Sequence, residues 1–152
     1  MKDMKKTLLA IAALAFMAWG CGSEEEVIPS LQQGWNERPT NWVAPDNSSF
    51  DLPPMSVQVQ LGDTLAAYQS SADLMCATIN GEIRAVTPPM SNMGVVYYPL
   101  TIVGNSSDQM VCLHYYCDRL HRIYTIENWA QFDPSTAPTG DSGIYRPKFA
   151  EK

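Results

Sequence analysis

Between Met55 and Leu61 the chain alternates without a break: Met55, Val57, Val59 and Leu61 on one side, Ser56, Gln58 and Gln60 on the other. A period of two puts the first set on one face of a strand, and that face must be buried. A second constraint lies downstream. Leu74 to Ile79 and Glu82 to Thr87 are short strand-like runs separated by Asn80-Gly81. That dipeptide tolerates positive φ at both positions and predicts a tight two-residue hairpin. Pro88-Pro89 then stops the second run. Val95 to Val103 places Val96, Tyr98, Leu100 and Ile102 on one face, with Pro99 predicting an edge or a bulge because it cannot donate to a ladder. Gln109 to Tyr116 and Arg122 to Ile126 complete the set. About six closely spaced strands with almost no helix signal predict an all-β domain. An antiparallel two-sheet β-sandwich, Ig-like or jelly-roll-like, is the expected architecture, with a small barrel second.

The N-terminus reads differently. Lys2, Lys5 and Lys6 precede an apolar run from Leu8 to Trp19, followed by Gly20 and Cys21. A basic start, a short apolar core and a small residue at the cut predict a secretion signal over 1–20. The core is too short for a permanent span, which needs about 20 apolar residues. Ala18-Trp19-Gly20-Cys21 resembles a bacterial lipobox, which implies lipid on the thiol and acyl on the freed amine of Cys21. The membrane would then be a partner through that lipid. Behind Cys21, Ser23, Glu24, Glu25 and Glu26 resemble the acidic export signal of surface lipoproteins in the Bacteroidetes. The alternative is a charged leader without that meaning.

Residues 21–41 read as a lipid-anchored tether: they carry the acidic run, Pro29, Gly34 and Pro39, and no periodicity. The domain is expected over 42–152, a size that suits a single core. Of ten basic and sixteen acidic residues, Lys2, Lys5, Lys6 and Asp3 precede Cys21, leaving seven against fifteen, a formal charge of about −8. This balance argues against nucleic acid as a partner, and against anionic lipid as a direct one, since both need a basic face.

The folded part resembles a β-sandwich module that recurs in surface and secreted proteins of Bacteroidetes and related bacteria. The likeness rests on Asn41-Trp42, Phe50 and the strand from Met55. It rests further on Asp73-Leu-Met-Cys-Ala-Thr-Ile-Asn-Gly-Glu-Ile-Arg84-Ala-Val, the aromatic strand ending at Gly104-Asn105, and Leu113 to Asp118. Trp129 to Phe132 and Gly143 to Pro147 complete it. The resemblance implies a fold and a surface setting, and carries no activity with it.

Three cysteines belong to the domain: Cys76, Cys112 and Cys117. In an oxidising compartment one disulfide is expected, with Cys76 and Cys112 preferred because both lie in strands; the alternative is buried thiols acting as small hydrophobes. Cys112, His114, Cys117 and His121 are zinc-type ligands, but their spacing does not suit a finger and part of the run is strand, so no metal is expected. No cofactor is expected either: the chain has no phosphate-binding glycine loop and no Gly-x-Ser-x-Gly motif, and His114 and His121 are its sole imidazole bases. No catalytic residue is assigned. Paired tyrosines at 97–98 and 115–116 must point to opposite faces. Tyr97, Tyr116 and Trp129 are therefore candidates for an exposed, ligand-stacking set, against the reading that they merely pack the sandwich. Asp63-Thr64-Leu65 resembles an O-glycosylation signal of exported Bacteroidetes proteins with Thr64 as acceptor, or is simply a turn.

The expected function is a non-catalytic, lipid-anchored lipoprotein of a Gram-negative outer membrane, exposed at the cell surface and binding glycan or protein. A structural accessory without its own ligand is the alternative, and a small envelope hydrolase a third.

Overall fold

The alternating run forms β1 (Met55–Val59), with Met55, Val57 and Val59 buried and Ser56 and Gln58 exposed. It is one of eight strands in this computed structural model, whose described residues are 33–136 and 144–149. The others are β2 (Leu74–Ile79), β3 (Glu82–Thr87), β4 (Met90–Asn92), β5 (Val95–Ile102), β6 (Met110–Cys117), β7 (Arg122–Gln131) and β8 (Ile144–Tyr145). A 3₁₀ turn at Asn47–Ser49 and a one-turn helix α1 (Asp63–Ala66) are the helical pieces among these residues.

The strands make two four-stranded sheets, β4–β5–β1–β8 and β3–β2–β6–β7. Every pairing is antiparallel except β8 on β1. The domain is an all-β, two-sheet sandwich. Its core takes Tyr98, Leu100 and Ile102 from β5, Met75, Ala77 and Ile79 from β2, and Val111, Leu113 and Tyr115 from β6, each at most 1 % exposed. Burying each large apolar side chain there contributes about 1.5–3 kcal/mol.

The β2–β3 turn is as expected, with Asn80 and Gly81 at φ 51° and 78°. Met93 and Gly94 adopt the same pair of values, 51° and 79°, and join the short β4 to β5. Methionine is a poor left-handed residue, costing about 1–2 kcal/mol, so this hairpin carries little local signal. Pro99 lies opposite Gln58 within the β1–β5 pair, so β5 is an interior strand. Proline is tolerated because β4 stops at Met90, opposite Tyr97, leaving that side of β5 open beyond it. Strand β7 runs five residues past its expected end. A register shift between Val111 and Leu113, with Asn128 at φ 50°, lets the ladder resume at Ala130.

The chain ahead of β1 forms a strap on the outside of the β3–β2–β6–β7 sheet. The Gly34 N–H donates to the Leu120 carbonyl (2.7 Å), the Asn36 N–H to that of His121 (2.8 Å), and Asn36 Oδ1 accepts from the Ile123 N–H (3.2 Å). Gly34 is required there, because a Cβ would stand 2.6 Å from the His121 carbonyl oxygen. Further along, Trp42 packs on His114 at 6.2 Å and Phe50 lies 4.9 Å from the Arg84 guanidinium. The packed chain therefore begins at least eight residues before Trp42, inside the stretch expected as tether, because Gly34 and Asn36 satisfy backbone groups of the β6–β7 loop.

Tyr98 near the start of β5, Tyr115 near the end of β6 and Asp73 just before β2 meet inside the sandwich. One end, here called basal, therefore carries the β4–β5 turn, the β6–β7 loop, α1 and the chain after β8. The distal end carries the Asn80-Gly81 turn and the β5–β6 loop.

Candidate functional site

Asp73 is fully buried. A buried carboxylate is costly unless donors surround it, and five do. Its Oδ2 accepts from the Tyr115 hydroxyl (2.6 Å), the Tyr98 hydroxyl (3.2 Å) and the Ser70 N–H (3.0 Å). Its Oδ1 accepts from the Asp118 N–H (3.0 Å) and the Ser70 hydroxyl (3.2 Å). Burial, with the adjacent carboxylate, pushes both phenols well above their ordinary values, so they stay protonated donors. The cluster ties four segments together. It is closed to ligand, and its chemistry is structural.

The outer face of the β3–β2–β6–β7 sheet is roofed by the strap. Tyr116, expected as an exposed ligand contact, is 1 % exposed: Arg38 of the strap lies near it and its hydroxyl donates to Asp118 Oδ1 at 3.1 Å. Burial and Asp118 push its phenol up to about 12. Tyr116 is removed from the candidate site. His114 is held by two threonines, Nε2 to Thr78 Oγ1 (2.8 Å) and Nδ1 to Thr125 Oγ1 (2.9 Å). Burial lowers its pKa, with Glu127 opposing the shift. Both ring nitrogens are engaged, so His114 is poorly placed as a general base.

The cysteines are free thiols, Cys76 and Cys117 buried and Cys112 partly exposed. Cys76 lies opposite His114, and Cys112 opposite Thr78. The two face the same way but sit diagonally, about 7–8 Å apart between Cα atoms in such a pair, beyond ordinary disulfide reach. Burial raises the Cys76 thiol to about 12. Cys117, at the opposite parity, turns inward with its Sγ near the Tyr68 carbonyl. Among the described residues no three His, Cys, Asp or Glu side chains converge on a metal position.

The outer face of the β4–β5–β1–β8 sheet is different. A groove of about 300 Å³ is lined by Gln58, Asn92, Met93, Val95, Tyr97 and Ile144. The strands explain the lining. Tyr97 and Val95 take the outward parity of β5, Gln58 that of β1, and Ile144 pairs directly with Gln58. Tyr97 is half-buried, giving one aromatic face, two amides and an apolar rim. Trp129, also a sequence candidate, packs on Tyr145 at 5.3 Å, with its indole N–H buried and unpartnered among the described residues. It supports β8 and does not line the groove. Sequence reading found Tyr97 and missed Gln58 and Ile144, since alternation identifies outward residues and not which neighbours they meet.

Thr64 lies in α1, half-buried, beside a cavity of about 310 Å³ lined also by Leu61, Leu65, Lys148 and Phe149. The signal over 1–20, Cys21, and Ser23 to Glu26 lie outside the described residues. Among the described residues no helix is long and apolar enough to cross a membrane. No protein-family model, curated protein or solved structure matches the chain. Fold and groove together define a small two-sheet β-sandwich with one face left open by the described residues.

Proposed function

We propose that this chain is a non-catalytic, lipid-anchored protein of a Gram-negative cell envelope, exposed at the cell surface and binding glycan or protein through the open face of the β4–β5–β1–β8 sheet. Lipid on Cys21 supplies the anchor, and Ser23, Glu24, Glu25 and Glu26 the export signal. The observation that carries the binding role is the asymmetry of the two faces. One is covered by the strap, while the other keeps Tyr97, Gln58 and Asn92 around an apolar groove. An aromatic ring with flanking amides suits stacking and hydrogen bonding to a sugar or a short peptide. The lack of a free imidazole at His114 supports a non-catalytic role.

The test is a glycan-array and surface-protein binding screen of the unlipidated chain alongside its Tyr97→Ala and Gln58→Ala variants. Binding lost in both variants upholds the groove. Binding retained in both moves the ligand site elsewhere, and no binding at all leaves a structural accessory as the better description. Protease shaving of intact cells tests exposure, and full protection of the protein removes the surface assignment.

A further inference from the structure

We propose that the basal end of the sandwich rests on the anionic phospholipid surface into which the Cys21 lipid inserts. This deepens the anchored reading above and relies on it for the identity of the surface. Three independent observations converge on that end.

The first is where the described chain starts. Gly34 and Asn36 fix it to Leu120 and His121 of the basal β6–β7 loop and to Ile123 at the start of β7. The twelve Cα steps from Cys21 to position 33 span at most about 43 Å even when fully extended. The second is apolar exposure. Met93 at the tip of the β4–β5 turn and Trp35 beside Gly34 are 98 % and 97 % exposed, against 68 % for the next large hydrophobic residue, Val43. Both lie at the basal end. Tryptophan in particular favours the membrane–water boundary, where its ring is apolar on the face and polar at the N–H.

The third is charge. Seven basic residues follow Cys21. Arg84 is consumed in a buried ion pair with Asp108, and Lys152 lies outside the described residues. The remaining five are all basal. Arg119 and Arg122 belong to the β6–β7 loop and the start of β7, and Arg38 lies near Tyr116. Arg146 bonds Gln60 just beyond β1, and Lys148 lines the cavity beside Leu61. Asp51, Glu82, Asp108 and Asp133 gather at the distal end, while Glu37, Asp63 of α1, the buried Asp73 and Asp118 are the basal carboxylates. The domain is thus polarised despite its acidic total. Cations mixed with projecting apolar side chains suit phosphate headgroups over an acyl layer. A second copy docking by the same end would set two net-positive ends against each other, which argues against self-association there.

The test uses vesicles and the chain from position 21 onward carrying Cys21→Ser, within which Leu31–Lys152 forms one compact unit. Co-sedimentation is measured with phosphatidylethanolamine–phosphatidylglycerol vesicles and with phosphatidylcholine vesicles. Binding to the anionic vesicles alone is expected at about 0.1 M salt, largely lost near 1 M where the screening length falls to roughly 3 Å. Arg119→Ala/Arg122→Ala should lower the partition about twenty-five-fold, at about fivefold per cation near such a surface. Trp35→Ala and Met93→Ser should each weaken it, while Met110→Ser at the distal end should not. Lipid-borne bromine should quench Trp fluorescence in the parent and not in Trp35→Ala. No binding to anionic vesicles, or binding indifferent to these basal substitutions, overturns the proposal. So does a concentration-dependent dimer in sedimentation velocity that Met93→Ser abolishes. The intact mass of the natural protein tests the anchor separately. Vesicle binding without lipid mass on Cys21 upholds the docking end and removes the anchor; lipid mass without vesicle binding does the reverse.

Discussion

The Tyr115 hydroxyl donates to the Asp73 carboxylate across 2.6 Å in the middle of a hydrophobic core, where both residues are fully buried. That bond joins β6 to the segment leading into β2. Asp73→Ala leaves two phenols, a serine hydroxyl and two backbone N–H groups without their acceptor, and is expected to destabilise by about 3–5 kcal/mol. Tyr98→Phe removes one longer donor of several and should cost about 0.5–1.5 kcal/mol. Equilibrium urea unfolding checks both, and equal losses would mean that the carboxylate is not the hub.

Arg84 and Asp108 form a second buried pair, each side chain 6 % exposed. Asp108→Asn strands the guanidinium and should cost about 3–5 kcal/mol. Burial works against the Asp108 charge, but the bonds from Arg84 and the Asn105 N–H outweigh it and hold the carboxyl below its ordinary 3.8. A depressed carboxylate contributes stability above its unfolded pKa, and that stability is lost as pH falls through the folded value. The parent should therefore lose stability below about pH 4 more steeply than Asp108→Asn, as thermal melts across that range will read.

His114 gives the opposite residue type and the same sign. Its folded pKa lies below the ordinary 6.5, chiefly through burial. The unfolded chain binds the proton first, so stability present above about pH 6.5 declines on acidification. Replacing His114 with Gln should flatten the stability profile between about pH 7 and 5. An unchanged slope in denaturant midpoints would assign that titration elsewhere.

Thiol chemistry distinguishes the three cysteines. Cys112 is partly exposed, so iodoacetamide should modify it in the native protein, while Cys76 and Cys117 react after unfolding. Peptide mapping reads this directly. A Cys76–Cys112 bridge in the isolated protein would require the β2–β6 register to move.

Thr64 and the basal cations share one end of the molecule. A glycan on Thr64 would hold that end away from a bilayer, so the proposed docking predicts that the intact protein lacks hexose mass, with Thr64→Ala leaving its mass otherwise unchanged. Hexose on Thr64 would favour a domain held clear of the surface.

Much of this architecture was legible in the chain. The alternation from Met55 and the Asn80-Gly81 turn act locally, so their residues alone carry the information. The Met93-Gly94 hairpin was hidden because methionine accepts a left-handed backbone only under tertiary constraint. Tyr116 was misplaced for a related reason: alternation put it outward correctly, but it cannot reveal that a strap 80 residues upstream covers that face. Tyr97 keeps the outward parity that alternation assigns it, and nothing in the described chain roofs it. Charge was the least legible quantity. A formal sum of about −8 is blind to position, and only β8 alongside β1, with the strap against the β6–β7 loop, gathers five cations at one end.

The strap has a mechanical consequence. A sandwich with two bare faces can be approached from either side, and its neighbours can stack on both. With one sheet covered and only the other left open by the described residues, a crowd of such molecules would not stack face to face into arrays. Anchored as proposed, each would turn about its own tether. The groove would then sweep the full circle around the proposed anchor, meeting partners that arrive along a membrane from any bearing, one at a time.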